Sequence, residues 1–224
     1  MEQESLRAGL DGPPLIGLLS RLALLDGPGA KPSFVLGLGR WLGWADAIPL
    51  AAALTASAHG ASRPARAAPS AEREFERVRA ALLQRIDAEG SGSGRAAADD
   101  DAAPQRQHYA SLQQAMQSAI EPLRALARAA VAQRSSDLQR LAALDEVLEP
   151  VLAAREQALL GLLPTLLEQH HERLRRAAPD GIATWKEVFR QDMHSLLRAE
   201  LELRLQPVRG LIETLRSPPQ DDDE

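Results

Sequence analysis

Between Ser136 and Ala177 leucine recurs at helical spacing. Leu141, Leu144, Leu148, Leu152, Leu159, Leu163, Leu166 and Leu174 are separated by three, four, or their sum or double. A period of 3.6 residues places such a set along one side of an α-helix, and a stripe of this kind needs partner helices to cover it. The same spacing governs other segments: Phe75, Val78, Leu82 and Ile86 share one face, and a last helix presents Trp185, Phe189, Met193, Leu196, Leu201, Leu205, Val208, Ile212 and Leu215. Nowhere does apolar and polar alternation persist for a strand's length. The expected fold is therefore all-α: a kinked antiparallel three-helix bundle with a small N-terminal helical subdomain, the bundle following from three stripes joined by short turns.

Punctuation residues divide the chain. Residues 1–58 read as a small subdomain of three short helices, broken by "DGPGAKPS" and "WADAIP", with Asp46 as a helix N-cap that puts Pro49 in the first turn. A linker at 59–69 leads to a connecting helix at 70–89, capped by Ser70. Residues 90–104, "GSGSGRAAADDDAAP", are glycine, serine and acid, too poor in apolar groups to offset chain entropy, and read as a flexible acidic loop. The long-helix bundle occupies 105–216, with Pro104 suited to a first turn, Ser135 or Ser136 as a cap and Thr184 as another; 217–224 reads as a disordered acidic tail. Pro122, Pro150, Pro164 and Pro207 fall inside helical patterns and should kink or divide them.

Composition narrows the function classes. With 224 residues, 45% of them hydrophobic, the chain can bury one sizeable core or two small ones. Cysteine is absent, which removes disulfides, thiolate nucleophiles and cysteine-ligated metals. The opening "MEQES" carries acids where a secretory signal would carry positive charge, so a cytoplasmic location is expected. The net charge of −5 becomes +2 once the seven acids of Asp99–Asp101 and Asp221–Glu224 are set aside, a near-neutral body without the basic field that rewards nucleic acid.

Three local patterns invite a functional reading. "RWLGWADAIPLAAAL" gathers two of the three tryptophans in a chain that is only 3% aromatic. Arg40, Asp46 and Pro49 interrupt it well short of the roughly 20 apolar residues a membrane span needs, so it reads as core, with Trp41, Trp44 and Leu50 as the candidate docking surface. In "LLEQHHERLRR", Glu168 and His171 have the i, i+3 spacing of a helical di-metal ligand pair. The set is incomplete, because Gln105 and Gln191 stand where carboxylates should precede His108 and His194, and Arg175 stands where a zinc-protease helix needs its second histidine. A solvated or bundle-edge role for His170 and His171 is expected, with a metal-dependent bundle enzyme using Glu168, His171 and His194 as the rival. Gly37, Gly39 and Gly43 miss the dinucleotide spacing. No catalytic residue and no cofactor is expected.

The segments "LIGLLSRL", "WLGWADAIPLAAAL", "EREFERVRAALL", "QQAMQSAIEPLRA", "LDEVLEPVLAAREQALLGLLPTLLEQHHERL" and "FRQDMHSLLRAELELRLQPVRGLIETLR" resemble a bacterial family, chiefly proteobacterial, catalogued as a domain of unknown function, number 3348 in that series. The resemblance brings no assigned residues. It implies an accessory role beside membrane proteins of the proton-channel and peptidoglycan-binding type. Residues and resemblance together lead us to expect a non-enzymatic helical interaction or scaffold protein, acting through self-association or a protein partner. Peripheral binding to membrane or nucleic acid through arginines is a weaker alternative.

Overall fold

A computed structural model describes residues 14–22, 44–55, 68–90, 102–178 and 184–216. The expected loop residues 91–101, most of the linker, Trp41 and the acidic tail lie outside the described residues. Seven helices are described: α1 (Pro14–Arg21), α2 (Trp44–Thr55), α3 (Ala68–Gly90), α4 (Ala103–Ala132), α5 (Ser136–Leu160), α6 (Leu163–Ala177) and α7 (Thr184–Arg216). The chain is all-α, with no strand among the described residues. None of these helices is long and apolar enough to cross a membrane.

The region expected to hold three long helices holds four. The second leucine-striped segment breaks at Gly161 and Leu162, and Pro164 falls at the start of α6, where its missing N–H costs little. Pro122, Pro150 and Pro207 remain inside the unbroken helices α4, α5 and α7. Pro122 and Pro150 are exposed, as are Ser118 and Glu146, whose carbonyls those prolines leave without a helical donor, so water can serve them. Pro49 corrects an expectation. Helix α2 begins at Trp44, two residues before the expected cap Asp46, so Pro49 lies in the helix interior and on an exposed face.

Contacts divide the chain into two compact units, each drawn from three separate stretches. The first comprises Met1–Lys31, Leu82–Met116 and Leu160–Arg204, and the second Pro32–Ala81, Gln117–Leu159 and Leu205–Glu224. The sequence blocks 70–89 and 105–216 are thus each shared between the units. In the first unit Leu15, Leu18 and Leu19 of α1 are buried, as are Leu82 and Ile86 of α3, Leu112 and Met116 of α4, Leu163 and Leu167 of α6, and Phe189, Met193, Leu196, Leu197 and Leu201 of α7. In the second, Phe75, Val78, Leu123, Val131, Ala142, Leu205, Val208, Leu211, Ile212 and Leu215 are buried. Every apolar position read from the α3 stripe is therefore core, and so is every one from the α7 stripe except half-buried Trp185.

Within the second unit, α4 and α5 form an antiparallel hairpin joined through Gln133–Ser135, with Ser135 Oγ accepting the Leu138 N–H at 3.3 Å. Four charges fix its register. Arg124 donates through Nε and a terminal nitrogen to the two oxygens of Asp145 at 3.1 and 2.6 Å, and Arg128 reaches Asp145 at 3.2 Å and bonds Glu149. The i, i+4 spacing of both pairs lays two cations on one helix against two anions on the other. Their side chains are only 11 to 23% exposed, so each charge depends on its partners rather than on water. Asp145→Ala would leave two mostly buried guanidiniums facing one carboxylate. It should lower unfolding free energy by about 2–3 kcal/mol, against about 0.5 kcal/mol or less for Glu172→Ala, which removes only surface pairs. Urea denaturation of the two variants measures the contrast.

Candidate functional site

Helix α6 carries the histidine pair, and its apolar side explains where the pair goes. Leu167 follows Leu163 by four residues, His170 and His171 follow Leu167 by three and four, and all four are buried, the histidines to 5% and 3% exposure. The expectation of a solvated or bundle-edge pair is therefore corrected, because the histidines continue the leucine stripe into the core. His171 sits edge-on to two rings of α7, with centroids 5.0 Å from both Trp185 and Phe189 and interplanar angles of 80° and 86°. These are favourable aromatic geometries, and they give the imidazole a packing role. His170 Nε2 lies 2.8 Å from Asp192 Oδ2, and its Nδ1 lies 2.8 Å from a terminal nitrogen of Arg173, which also donates to the Leu22 carbonyl at 2.6 Å. A guanidinium can only donate, so Nδ1 accepts and Nε2 carries the hydrogen given to Asp192.

The other members of the metal hypothesis go elsewhere. Glu168 accepts from Arg106 of α4 at 3.2 Å. His194 Nε2 meets Asp87 Oδ1 of α3 at 2.7 Å, and Arg198 clasps the same carboxylate at 2.6 and 2.7 Å. Glu168, His171 and His194 thus have three different sets of neighbours. Among the described residues no group of three or more His, Cys, Asp or Glu side chains is placed to hold a metal ion. An open groove flanks α6, lined by Glu168, Glu172, Arg173 and Arg176 among others, so it carries charges of both signs.

The most enclosed polar group is one that sequence reasoning missed. Glu200 of α7 is fully buried, at 0% exposure. Tyr109 donates to its Oε2 at 2.7 Å, Gln113 Nε2 lies 3.0 and 3.1 Å from its two oxygens, and Arg204 donates to Oε1 from Nε at 2.8 Å and from a terminal nitrogen at 2.7 Å. Gln113 also donates to the Leu160 carbonyl at 2.9 Å, serving one of the acceptors left open at the end of α5. Burial raises the Tyr109 phenol well above its ordinary range, and the Glu200 carboxylate adds to that rise, so the hydroxyl keeps its proton and remains a donor. A carboxylate so completely served by protein donors is structural. The signal was in the sequence: Glu200 falls between Leu196, Leu197, Leu201 and Leu205, at a core position, with its arginine four residues on.

The surface offers a different kind of candidate. Of the proposed docking trio, Trp41 lies outside the described residues, Trp44 opens α2 with its side chain outside them too, and Leu50 is half-buried. Ile48 and Leu54 of the same helix are exposed, to 65% and 58%. On α5 the leucine stripe is not covered to the extent its spacing demands. Leu141 and Leu159 are exposed and Leu144, Leu148 and Leu152 only half-buried.

A family model described as "Protein of unknown function (DUF3348)" matches residues 1–217, and the chain belongs to that family. No curated protein and no solved structure matches it.

Two outcomes follow from the ion pairs. Arg204→Met strands the Glu200 carboxylate without its counter-charge and should lower unfolding free energy by about 3–5 kcal/mol, whereas Arg204→Met with Glu200→Gln should recover most of that loss, as urea titration will show. Arg198, and secondarily His194, hold the Asp87 carboxyl below its usual range. Because the folded value is the lower one, this support is present above the unfolded value of about 4 and lost as pH falls through the folded value. The stability gap between the wild type and Asp87→Asn should therefore narrow below about pH 4 in thermal melts.

Proposed function

We propose, taking membership in this family as the premise, that the protein is a non-enzymatic helical interaction or scaffold protein. One observation carries the reading: the leucine stripe of α5 is left partly open, from exposed Leu141 through half-buried Leu144, Leu148 and Leu152 to exposed Leu159. Fully burying a leucine contributes about 1.5–3 kcal/mol relative to leaving it exposed, so a row of them rewards a covering helix. Three of the buried ionisable groups do not compete with this reading. Glu200, His170 and Arg124 are each held by internal hydrogen bonds, an arrangement suited to fixing helices.

The candidate docking residues Trp41, Trp44 and Leu50 belong to the same proposal as a second contact region, supported by the exposure of Ile48 and Leu54 beside Leu50. A cytoplasmic role as an accessory to a membrane proton-channel type complex is part of it too, and rests on the family resemblance.

The test is in-cell photo-crosslinking. A photoreactive amino acid at Leu141 or Leu159 should give discrete protein adducts, of any mass, while the same group at exposed Glu76 on α3 should not. Adducts no stronger at α5 than at the control position would overturn the proposal.

A further inference from the structure

We propose that α5 is a self-complementary seam through which two copies of this chain pair antiparallel. The inference rests on the interaction reading above and names the partner. Asp137, Leu141, Leu144, Leu148, Val151 and Arg155 follow one another at spacings of four, three, four, three and four, the strict alternation of a coiled-coil seam. Asp137 and Arg155 are exposed, the Asp137 side chain to 81%, Leu141 is exposed and the three residues after it are half-buried. Pro150 is not part of this series and sits on a separate exposed position of the helix.

The order of residues along the seam decides the partner. Reversing one copy about the point midway between Leu144 and Leu148 sets Asp137 against the second copy's Arg155, Leu141 against its Val151, and Leu144 against its Leu148. The two-fold repeats each of these layers, so an apolar centre is closed at both ends by opposite charges. Parallel pairing in register would instead oppose aspartate to aspartate and arginine to arginine, a repulsive arrangement. Asp137 also contacts Arg140 at 3.6 Å, an exposed i, i+3 pair of the weak kind that a second cation can replace. The seam runs for about 27 Å at 1.5 Å per residue. That is short beside the interfaces of obligate dimers, so pairing should depend on concentration in the micromolar range.

The experiment is sedimentation equilibrium of the full chain from about 1 to 200 μM, chosen to bracket that range. The wild type should dimerise. Asp137→Arg and Arg155→Asp, each of which opposes like charges at both ends of the seam, should each weaken dimerisation by about tenfold or more. The double exchange restores both pairs and should return the dimer to within a few-fold of the wild type. Far-ultraviolet circular dichroism will show that each variant is folded, and the double exchange keeps the loss of Asp137 from the first turn of α5, so its rescue reports pairing alone. A wild type that stays monomeric, a dimer indifferent to the single reversals, or a double exchange without rescue would each overturn the proposal. If the purified chain is monomeric while crosslinking at Leu141 captures another protein, self-pairing fails and the interaction reading stands. If crosslinking at α5 also gives nothing, both fail.

Discussion

A carboxylate with no access to water makes the most exacting demand in this chain. Taking an ionised group out of water costs several kcal/mol, and only a cation and hydrogen-bond donors in the right places return it. Glu200 obtains them from Tyr109 and Gln113 of α4 and from Arg204 one turn along its own helix. A slip of α4 by a single residue would point both donors away, because neighbouring helical positions differ by about 100°. The apolar residues around Glu200 favour burial of any kind, whereas the carboxylate accepts one arrangement. Gln113 extends the same constraint to the break in the leucine-striped segment, since it also holds the last carbonyl of α5.

The second unit uses charge in the same way but nearer to water. Arg124, Arg128, Asp145 and Glu149 form a square whose members each have two partners, which lets the α4 and α5 hairpin bury arginine stems without an unpaired charge. With these groups committed to internal pairs, the less satisfied surface is apolar. Leu141 and Leu159 on α5 are exposed and the leucines between them half-buried, and the proposed function rests on that partial cover.

How far the sequence foretold this follows from what periodicity can and cannot encode. The α3 and α7 stripes are read correctly because an amphipathic face repeats every three or four residues whatever its neighbour is. His170 and His171 occupy such a face on α6 but were read by residue type, as polar groups expected at the surface, and Glu200 on the α7 face drew no reading, although register placed all three with the leucines. The Arg124 and Asp145 pairing is 21 residues apart and depends on the turn at Gln133–Ser135, so no local window reveals it. The division at Gly161 was expected of Pro164, whereas Pro49, Pro122, Pro150 and Pro207 were absorbed by their helices. At Pro122 and Pro150 an exposed face lets water replace the lost hydrogen bond, whereas Pro207 is half-buried, and whether a face is exposed is a tertiary property.

Each unit's assembly from three distant stretches bears on how the protein is made. Tyr109 and Glu200 are 91 residues apart, Asp87 and His194 are 107, and Glu72 and Arg216 are 144. Both units draw on α7, so a growing chain on the ribosome can complete neither until that helix has been translated. The α4 and α5 hairpin, closed over a three-residue turn, has no such wait, and local closure is faster than long-range closure. During synthesis the leucine face of α5 is therefore formed well before α7, the one described helix of its unit still to come, arrives. At that stage the chain is most exposed to chaperones, and to neighbouring nascent chains on the same message.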